Sequence, residues 1–505
     1  MDRRWVLAGL AACLTLAGPA EAAPKGPLSH EGRWITDNRG RVVTLHGWNV
    51  VYKVGSYRPA DAGFGANDMR FLRRHGFNTV RLGIIQNGVE PKLPGADGKP
   101  RYKRQYLRSI ARTQRQLGQH DIYTLLDVHQ DLYNERFQGE GFPDWAVVGD
   151  ARTLPAAPQQ GFPANYLVML ALNRAFDHFW ANDADTAGRP LQNSFAAMWR
   201  RIARRFRGRS HLLGYNILNE PWPGTAFPTC ISTIGCPLFD TLTLEPFTER
   251  VIAAIRAVDR RALVWYAPLL LFDFGADTSH GDTGDARAGF AFNMYCLGDV
   301  LPGELDPIAG GVCDVGYGLT LGNAEAQSQQ TGDALLMTEF AATDDLAVVE
   351  RVAELADQQM IGWQQWHYCD CDDPTTTGTG VQSLVSDPRK PPRGQNVSRA
   401  KLKVSSRPYP RLVSGTPVAY SFHRPTRRFE LSYSTTTPAG KRLGRRALTE
   451  VFVPPVHYRR GYRLQVTGAR VVSRRGARVL KLKRGRRAKM VTLTLGPRRL
   501  RPASP

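Results

Sequence analysis

Short hydrophobic runs of β-prone residues alternate with helical patterns between Arg41 and Tyr368. The intervening segments place apolar residues at three- and four-residue spacing, which is typical of amphipathic helices. This alternation predicts a parallel sheet, and eight units predict an α/β fold of the (β/α)8 TIM-barrel type with insertions. An open doubly wound sheet is the alternative, but the chain lacks its phosphate-binding glycine fingerprint. The predicted strands are Val42–Asn49, Thr79–Ile85, Tyr123–His129, Leu213–Asn219, Leu263–Ala267, Gly289–Tyr295, Leu335–Phe340 and Gly362–Tyr368.

The pattern changes after Ser386. Residues 387–411 are rich in Pro and Arg and predict a linker, whereas residues 412–505 alternate polar and apolar positions in short segments between turn residues. This second pattern predicts a C-terminal antiparallel β-sandwich. Its predicted strands are Val418–Phe422, Arg428–Tyr433, Thr449–Val453, Tyr462–Val466, Val479–Leu482 and Val491–Leu495.

The first residues have the pattern of a secretory signal peptide. A short positive segment precedes an apolar stretch at 5–18, which is too short to span a membrane, and Ala20–Ala22 forms an A-x-A cleavage site. We therefore expect residues 1–22 to be removed, residues 23–386 to form the barrel, and the protein to be secreted. Lipoprotein anchoring at Cys13 is the alternative, but apolar residues continue past that cysteine.

Six cysteines remain after the predicted cleavage, and export would permit disulfides among them. Cys230 with Cys236, and Cys296 with Cys313, would each close a short loop. Cys369 and Cys371 are the remainder, and a spacing of one residue between two cysteines does not match a zinc site. We expect no metal and no cofactor.

The net charge of +22 lies in the C-terminal quarter. Beyond residue 388 there are 31 Lys and Arg and only two acids, Glu430 and Glu450, whereas the rest of the chain has 36 bases and 43 acids. The bases occur as Arg doublets at turns and strand edges, without the interleaved aromatic residues that favour nucleic-acid binding. We expect no nucleic acid partner, although such a surface would attract anionic headgroups at low salt.

Two carboxylates close apolar strands, Glu220 after Leu213–Asn219 and Glu339 within Leu335–Phe340. Active sites of such barrels form at the C-terminal ends of the strands, so inward side chains from strands four and seven can face one sugar. Paired carboxylates about 5 to 5.5 Å apart are typical of retaining glycosidases, and structural salt bridges under the rim are the alternative. Arg81 could keep the nucleophile ionised, and the Tyr295 hydroxyl could donate to it.

Several motifs carry a resemblance to a known family. Asn219-Glu220-Pro221, Thr338-Glu339-Phe340, Thr79-Val-Arg81-Leu and Trp366 resemble glycoside hydrolase family 5. Gly47-Trp-Asn-Val-Val-Tyr-Lys53, Asp127-Val-His-Gln-Asp131 and Pro417-Val-Ala-Tyr-Ser-Phe422 are similar to its endoglycoceramidase group. The resemblance covers nearly all of the mature chain. It implies a retaining enzyme that cleaves the bond between the oligosaccharide and the ceramide of glycosphingolipids.

Site residues follow from this resemblance. It implies that Glu220 is the acid/base and Glu339 the nucleophile. It also implies sugar contacts by Lys53, His129, Asp131, Asn219, Tyr295 and Trp366. His129 could instead only support a neighbouring residue, and Lys53 could be an ordinary surface lysine. One departure is Asn293-Met294-Tyr295, where many family 5 enzymes have His-x-Tyr.

The lipid half of such a substrate requires an apolar surface. Phe137–Trp145 and Phe162–Trp180 are candidate ceramide-binding insertions, although the second could simply be an amphipathic helix on the barrel. A serine esterase is excluded because no G-x-S-x-G motif occurs. Two alternatives stay open, an endo-β-glycosidase acting on a non-lipid glycan and an enzyme specific for the galactosyl-linked series. We expect a monomer that touches membranes or micelles peripherally.

Overall fold

The structure is a computed structural model that describes residues 27–95, 98–296, 306–369, 371–375, 382–444 and 446–498. Side chains are described for all of these except 306–312. The predicted signal peptide and Cys13 lie outside the described residues. In the described part of the chain, no helix combines the length and the apolar character needed to cross a bilayer.

Eight parallel strands, β4 to β11, close into a barrel in which β11 pairs with β4. Their residues are buried throughout, as expected for strands covered by helices on one side and packed around a core on the other. The predicted (β/α)8 barrel is therefore confirmed. The strands up to this point are β1 (Ser29–Glu31), β2 (Trp34–Thr36), β3 (Val42–Val43), β4 (His46–Val50), β5 (Thr79–Ile84), β6 (Tyr123–Val128), β7 (Leu212–Asn216), β8 (Leu263–Tyr266), β9 (Ala288–Met294), β10 (Ala334–Phe340) and β11 (Gly362–Gln365).

Helices cover the outside of the barrel through their apolar faces. The helix Arg104–Gln119, for example, buries Tyr106, Leu107, Ile110 and Leu117 at helical spacing. The sequence pattern did not predict the helix between β9 and β10. The α-helices are Ala66–Arg74, Gln86–Val89, Arg104–Gln119, Asp150–Thr153, Ala164–Val168, Leu170–Trp180, Leu191–Phe206, Pro237–Phe239, Glu245–Arg256, Asp306–Thr331, Leu346–Gln358 and Arg399–Ser405.

The N-terminal strands close the bottom of the barrel. Leu28, Ile35 and Val43 pack in one buried cluster with side chains from the beginnings of the barrel strands, such as Leu213 and Leu263. This plug covers the end of the barrel at which the strands begin. The opposite end, where the strands finish, is left for the functional site.

The C-terminal part folds into two antiparallel sheets, which confirms the predicted sandwich. One sheet has the order β1-β2-β3-β12-β15-β18-β17 and the other has the order β13-β14-β19-β16. The first sheet thus includes N-terminal strands, because β3 pairs with β12. The strands of this part are β12 (Tyr409–Val413), β13 (Thr416–His423), β14 (Arg428–Ser434), β15 (Thr449–Phe452), β16 (Tyr462–Thr467), β17 (Ala469–Val471), β18 (Val479–Arg484) and β19 (Met490–Pro497).

Residues 387–411, predicted as a linker, contain ordered structure. Arg399–Ser405 is a helix that buries Leu402 and Val404, and β12 already begins at Tyr409. Arginine and proline content predicted an extended connection, but Val397, Leu402 and Val404 of this segment pack in the core cluster of the barrel. The three disulfides are Cys230–Cys236, Cys296–Cys313 and Cys369–Cys371, so both short-loop pairings are as expected and the remaining pair is also joined.

Candidate active site

Glu220 and Glu339 meet at the C-terminal end of the barrel and line the same pocket. Glu339 lies on β10, whereas Glu220 lies beyond the end of β7 at Asn216 and has a left-handed backbone with φ of 42°. The Gln130 side chain holds this turn by donating to the carbonyl oxygens of Asn219 (3.1 Å) and Glu220 (3.0 Å). The predicted strand Leu213–Asn219 is therefore too long, since its last residues form the turn that presents Glu220.

Arg81 on β5 is the fully buried cation beneath this pair. Its guanidinium donates to Glu339 Oε1, to Asp127 Oδ1 (2.9 Å) and to Asn219 Oδ1 (2.8 Å). Asn216 and Asn49 accept its remaining hydrogen bonds, at 3.1 and 3.2 Å. Arg81 therefore fixes one oxygen of Glu339. The ionic hydrogen bonds of Arg81 go to Glu339 and Asp127 and not to Glu220.

Two residues at the end of β9 donate hydrogen bonds to the carboxyl pair, one to the second oxygen of Glu339 and one to Glu220. The Tyr295 hydroxyl donates to Glu339 Oε2 at 2.9 Å. Asn293, the residue that departs from His-x-Tyr, donates through Nδ2 to Glu220 Oε1 at 2.8 Å. Thr338 in turn donates to Asn293 Oδ1 at 3.0 Å and so fixes which side of the amide faces Glu220. The departure thus places a hydrogen-bond donor directly on Glu220.

The two carboxyls have different electrostatic surroundings. Burial, then the charges of Asp273 and Glu339, raise the pKa of Glu220 well above its ordinary value. Burial also raises the pKa of Glu339, but the charges of Arg81 and His129 oppose that rise. Of the two, Glu220 is therefore the group that retains a proton and Glu339 the group that ionises, which is the division that a general acid and a nucleophile require.

Lys53 lies in a buried ion-pair cluster beside the carboxyl pair. Its ammonium group donates to Asp131 Oδ2 at 2.6 Å and to the Thr375 hydroxyl at 2.7 Å, and it lies 3.0 Å from Asp373 and 3.8 Å from Glu140. Lys53 is only 3% exposed, so the alternative of a surface lysine is wrong. Burial alone would lower the pKa of Lys53, but the carboxylates of Asp131, Asp373 and Glu140 raise it well above its ordinary value.

His129 links this cluster to the floor of the site. Its Nδ1 lies 2.8 Å from Asp127 and its Nε2 lies 3.5 Å from Asp131. Burial would lower the pKa of His129, but its hydrogen bond with Asp127 and its interaction with nearby Asp131 raise it to about 9. Burial would raise the pKa of Asp131, but Lys53 and His129 hold it well below its ordinary value. A charged imidazole therefore joins Arg81 in balancing the acids of the site at neutral pH.

Ligand atoms of His129, Asp131 and Glu140 lie within 4.8 Å of one another, a spacing that a metal ion could bridge. The ammonium group of Lys53, however, already contacts two of these three residues. A second cation there would be repelled by the first. This chemistry favours an ion-pair cluster that binds hydroxyl groups over a metal site.

Trp366 follows β11 and forms part of the pocket wall. Its indole ring stacks on His129, with ring centres 5.4 Å apart and planes within 12°, and Lys53 Nζ lies 4.5 Å from its centre. An indole held in this way offers an apolar face for a pyranose ring. The structure thus brings all nine residues expected from the sequence to one region, namely Lys53, Arg81, His129, Asp131, Asn219, Glu220, Tyr295, Glu339 and Trp366.

A second part of the pocket lining, the apolar wall, consists of apolar side chains. They come from the start of the insertion Phe162–Trp180, from the turn after Glu220 and from the segment after β8, namely Phe162, Pro163, Tyr166, Leu167, Trp222, Leu270, Leu271 and Phe274. The start of this insertion therefore lines the pocket, whereas its later rings, Phe176 and Phe179, pack in the core. The other candidate insertion is wrong as a lipid surface, because Phe137, Phe142 and Trp145 are buried in the core.

Sequence reasoning left several residues of the site without a role. Asp127, Asn293 and Thr338 stand in the quoted motifs and lie in barrel strands, so their position on a strand was a usable signal. Asp273 is the single acid in the apolar run Leu269–Phe274, which was also visible in the sequence. Thr375 and Asp373 had no such signal, because only folding of the loop after β11 brings them to Lys53.

Comparisons with known proteins identify the family of the chain. Residues 57–266 match the family described as Cellulase (glycosyl hydrolase family 5), and residues 407–495 match the glycoside hydrolase family 5 C-terminal domain. Endoglycoceramidase I of Rhodococcus hoagii is 31% identical over 91% of this chain and 86% of its own. An endoglycoceramidase of Cyanea nozakii is 26% identical over 92% and 91%, respectively.

Solved structures show the same likeness. Endo-glycoceramidase II from Rhodococcus sp., in complex with a five-membered iminocyclitol, is 26% identical and superposes with a TM-score of 0.72 over 92% of this chain and all of that one. Other structures of that Rhodococcus enzyme hold a lactosyl-enzyme intermediate and ganglioside GM3.

Proposed function

Because the chain belongs to glycoside hydrolase family 5 and, within it, to the endoglycoceramidases, we propose that it hydrolyses the bond between the oligosaccharide and the ceramide of glycosphingolipids. The observation that carries this proposal is that residues of two different polarities line the pocket of the carboxyl pair. A hydrogen-bonded polar cluster around Lys53 and a group of apolar side chains that includes Phe162, Leu270 and Leu271 both line the pocket that contains Glu220 and Glu339. A glycan joined to a lipid has the same two polarities.

In the first step, Glu339 attacks the anomeric carbon while Glu220 donates its proton to the glycosidic oxygen. The bond from that oxygen to the anomeric carbon breaks, ceramide leaves as an alcohol, and the glycan stays attached to Glu339. Arg81 and Tyr295 hold the two oxygens of Glu339 before the attack. Their hydrogen bonds stabilise the ionised form of the nucleophile.

In the second step, Glu220 acts as the base. Its carboxylate removes a proton from water, the water oxygen bonds to the anomeric carbon, and the bond to Glu339 breaks. The intact oligosaccharide is released with retained configuration, and Glu220 is protonated again. The chain is thus a retaining glycoside hydrolase that uses two displacements.

The two halves of the substrate have different binding surfaces. Lys53, Asp131 and Trp366 are placed to bind sugar hydroxyls and a pyranose face, and Asn219, whose amide oxygen accepts from Arg81, lies next to Glu220. Ceramide would lie along the apolar wall formed by residues 162–167 and 270–274. In this proposal the scissile bond lies between the sugar-binding residues and the apolar wall.

The test is hydrolysis of a glycosphingolipid with a fluorescent ceramide. We expect the wild type to release labelled ceramide and an intact oligosaccharide, and Glu339→Gln to lose at least about a thousandfold in rate, because it removes the nucleophile. Asp68→Asn is a matched control, since Asp68 is a buried carboxyl that accepts from the Tyr368 hydroxyl outside the pocket. Undiminished release by Glu339→Gln would contradict the proposal.

Substrate choice within this class is tested with a panel of purified glycolipids. The panel contains lactosyl-core gangliosides, galactosyl-linked glycolipids and a ceramide with a single hexose, together with a soluble cellooligosaccharide. Release of ceramide from the lactosyl series is the expected result. Cleavage of the cellooligosaccharide alone would instead favour the endo-β-glycosidase on a non-lipid glycan.

Secretion is a further part of the proposal. It is supported by the leader pattern at residues 1–22 and by disulfides between six cysteines of the barrel part. We expect N-terminal sequencing of the exported protein to begin at Ala23. A mature chain beginning with a lipid-modified Cys13 would instead show the alternative of lipoprotein anchoring.

A further inference from the structure

Asp273 is a third carboxyl in the pocket. It lies in the 3-10 helix Leu270–Phe274 after β8, and its carbonyl oxygen accepts from the backbone N–H of Tyr295 at 3.0 Å. Its side chain is only 3% exposed and lines the pocket together with Glu220 and Glu339. A retaining mechanism uses two carboxyls, so this one has no role in the steps described above.

One oxygen of the Asp273 carboxyl lacks a donor. Among the described residues, no N–H or O–H group donates to its buried Oδ2. The side-chain hydrogen-bonding neighbours of Asp273 are the carboxyl of Glu220 and the amide of Asn293. Two carboxyls form a hydrogen bond only when one of them carries a proton. The geometry is therefore satisfied by one proton held between Asp273 and Glu220.

The charged groups around Asp273 and Glu220 do not replace the shared proton. Arg81 directs its ionic hydrogen bonds to Glu339 and Asp127, and Lys53 directs its own to Asp131. The titratable and charged groups that face Asp273 and Glu220 from the neighbouring elements are Arg81, His129, Asp131, Tyr166, Tyr295 and Glu339. None of these cations contacts the pair directly, so two ionised carboxylates there would repel each other.

We propose that Asp273 is a positioning residue that shares one proton with Glu220 and keeps Glu220 in its acid form until the leaving oxygen takes that proton. Once the proton has moved to the glycosidic oxygen, both carboxyls are ionised side by side. Their repulsion makes Glu220 a stronger base towards the incoming water, and the proton taken from that water restores the shared bond. The proposal rests on the acid/base role of Glu220 given above.

The test uses two soluble aryl β-lactosides, with phenol and 2,4-dinitrophenol as leaving groups. Phenol needs a proton in order to leave, whereas dinitrophenolate does not. In Asp273→Asn, the amide can donate to an ionised Glu220 and carries no charge, so Glu220 loses its proton at lower pH. We expect the alkaline limb of kcat/KM for the phenyl lactoside to move down by about one pH unit or more, because coupled carboxyls interact by at least that much.

The dinitrophenyl lactoside serves as the internal comparison. Asp273→Asn should retain most of its kcat/KM for this substrate, and Asp68→Asn should leave both profiles unchanged. Asp273→Ser, which is also unable to ionise, should move the limb in the same direction if Asp273→Asn folds poorly. An unmoved alkaline limb in a folded variant, with equal losses on both lactosides, would overturn the proposal. Neither substrate contains ceramide, so failure of the glycolipid assay would leave this result intact.

Discussion

We expect the reactivity of Glu339 to depend on the hydroxyl group of Tyr295. It donates to Glu339 Oε2, and this hydrogen bond favours the ionised nucleophile. In Tyr295→Phe the pKa of Glu339 should therefore rise, so the acid limb of kcat/KM should move to higher pH. A hydrogen bond to a charged group contributes about 1.5–3 kcal/mol, so we expect kcat/KM to fall about tenfold to a hundredfold.

Tyr133→Phe is the matched control for this variant. Tyr133 is a buried tyrosine whose hydroxyl donates to the carbonyl oxygen of Ala146, away from the carboxyl pair. The control should change the melting temperature by a similar amount and leave the pH profile in place. An acid limb that is the same in Tyr295→Phe and the wild type would show that the hydroxyl does not act on Glu339.

At the scale of residues, the sequence best predicts the site residues that lie at the ends of strands. Glu220, Glu339 and Arg81 are polar residues at or near the ends of apolar runs, and in a barrel all such ends meet at one face. The residues that complete the Lys53 cluster could not be predicted in this way. Asp373 and Thr375 come from the irregular loop after β11, and no periodic pattern places such a loop against a distant strand.

At the scale of elements, two short helices form a hydrophobic lip beside the pocket. Leu167, Val168 and Leu170 lie at the junction of Ala164–Val168 and Leu170–Trp180, and each is about half exposed. Leu167 also lines the apolar wall of the pocket. Exposed leucines next to the apolar wall are suited to enter a membrane or micelle surface, which is how we propose that the enzyme reaches ceramide.

Replacing Leu167 and Leu170 together by serine tests this lip. Burying one leucine side chain contributes roughly 1.5–3 kcal/mol, so hydrolysis of glycolipid in vesicles should fall about tenfold or more. Hydrolysis of dinitrophenyl lactoside in water should change little. The control is a double Val471→Ser, Val472→Ser variant, because these valines are partly exposed on the sandwich. Equal activity of both double variants on vesicles would exclude a role for the lip.

The barrel strands were predicted to within a few residues because each is a short buried run flanked by turn residues. The long helix Asp306–Thr331 was not predicted, and its glycines explain the failure. Gly310, Gly311, Gly316, Gly318 and Gly322 interrupt the apolar periodicity and have low intrinsic helix propensity. Strands β1 and β2 were missed for another reason, since three residues are too few to show an alternating pattern, and the predicted strand Val42–Asn49 combined β3 with β4.

At the scale of the whole molecule, the basic sandwich and the pocket lie at different ends of the barrel. Tyr409 stacks on His46 at the start of β4 and donates to the Gly76 carbonyl in the loop before β5. The pocket opens where the same strands finish. The positive charge of the sandwich therefore lies away from the mouth of the pocket. Salt screens electrostatic attraction over short distances, so binding of the sandwich to anionic lipids would not bring the pocket mouth against the same membrane.

Two arginines connect the sandwich part to the same barrel helix, Leu346–Gln358, and they predict different effects on stability. Arg407 is fully buried and donates to Asp357 at 2.8 Å, whereas Arg424 is partly exposed and forms a two-pronged ion pair with Glu350 at 2.6 Å. Arg407→Ala leaves a buried carboxylate unpaired and should lower the free energy of unfolding by about 3–5 kcal/mol.

Arg424→Ala removes an ion pair that solvent screens, so it should lower the free energy of unfolding by less than about 1 kcal/mol. Calorimetry of both variants measures this difference, and it also reports whether the barrel and the sandwich unfold together. We expect one transition in the wild type, because β3 belongs to the sandwich sheet and its neighbour β4 to the barrel. Two transitions in the wild type, or equal losses in the two variants, would mean that the buried ion pair does not join the two parts into one cooperative unit.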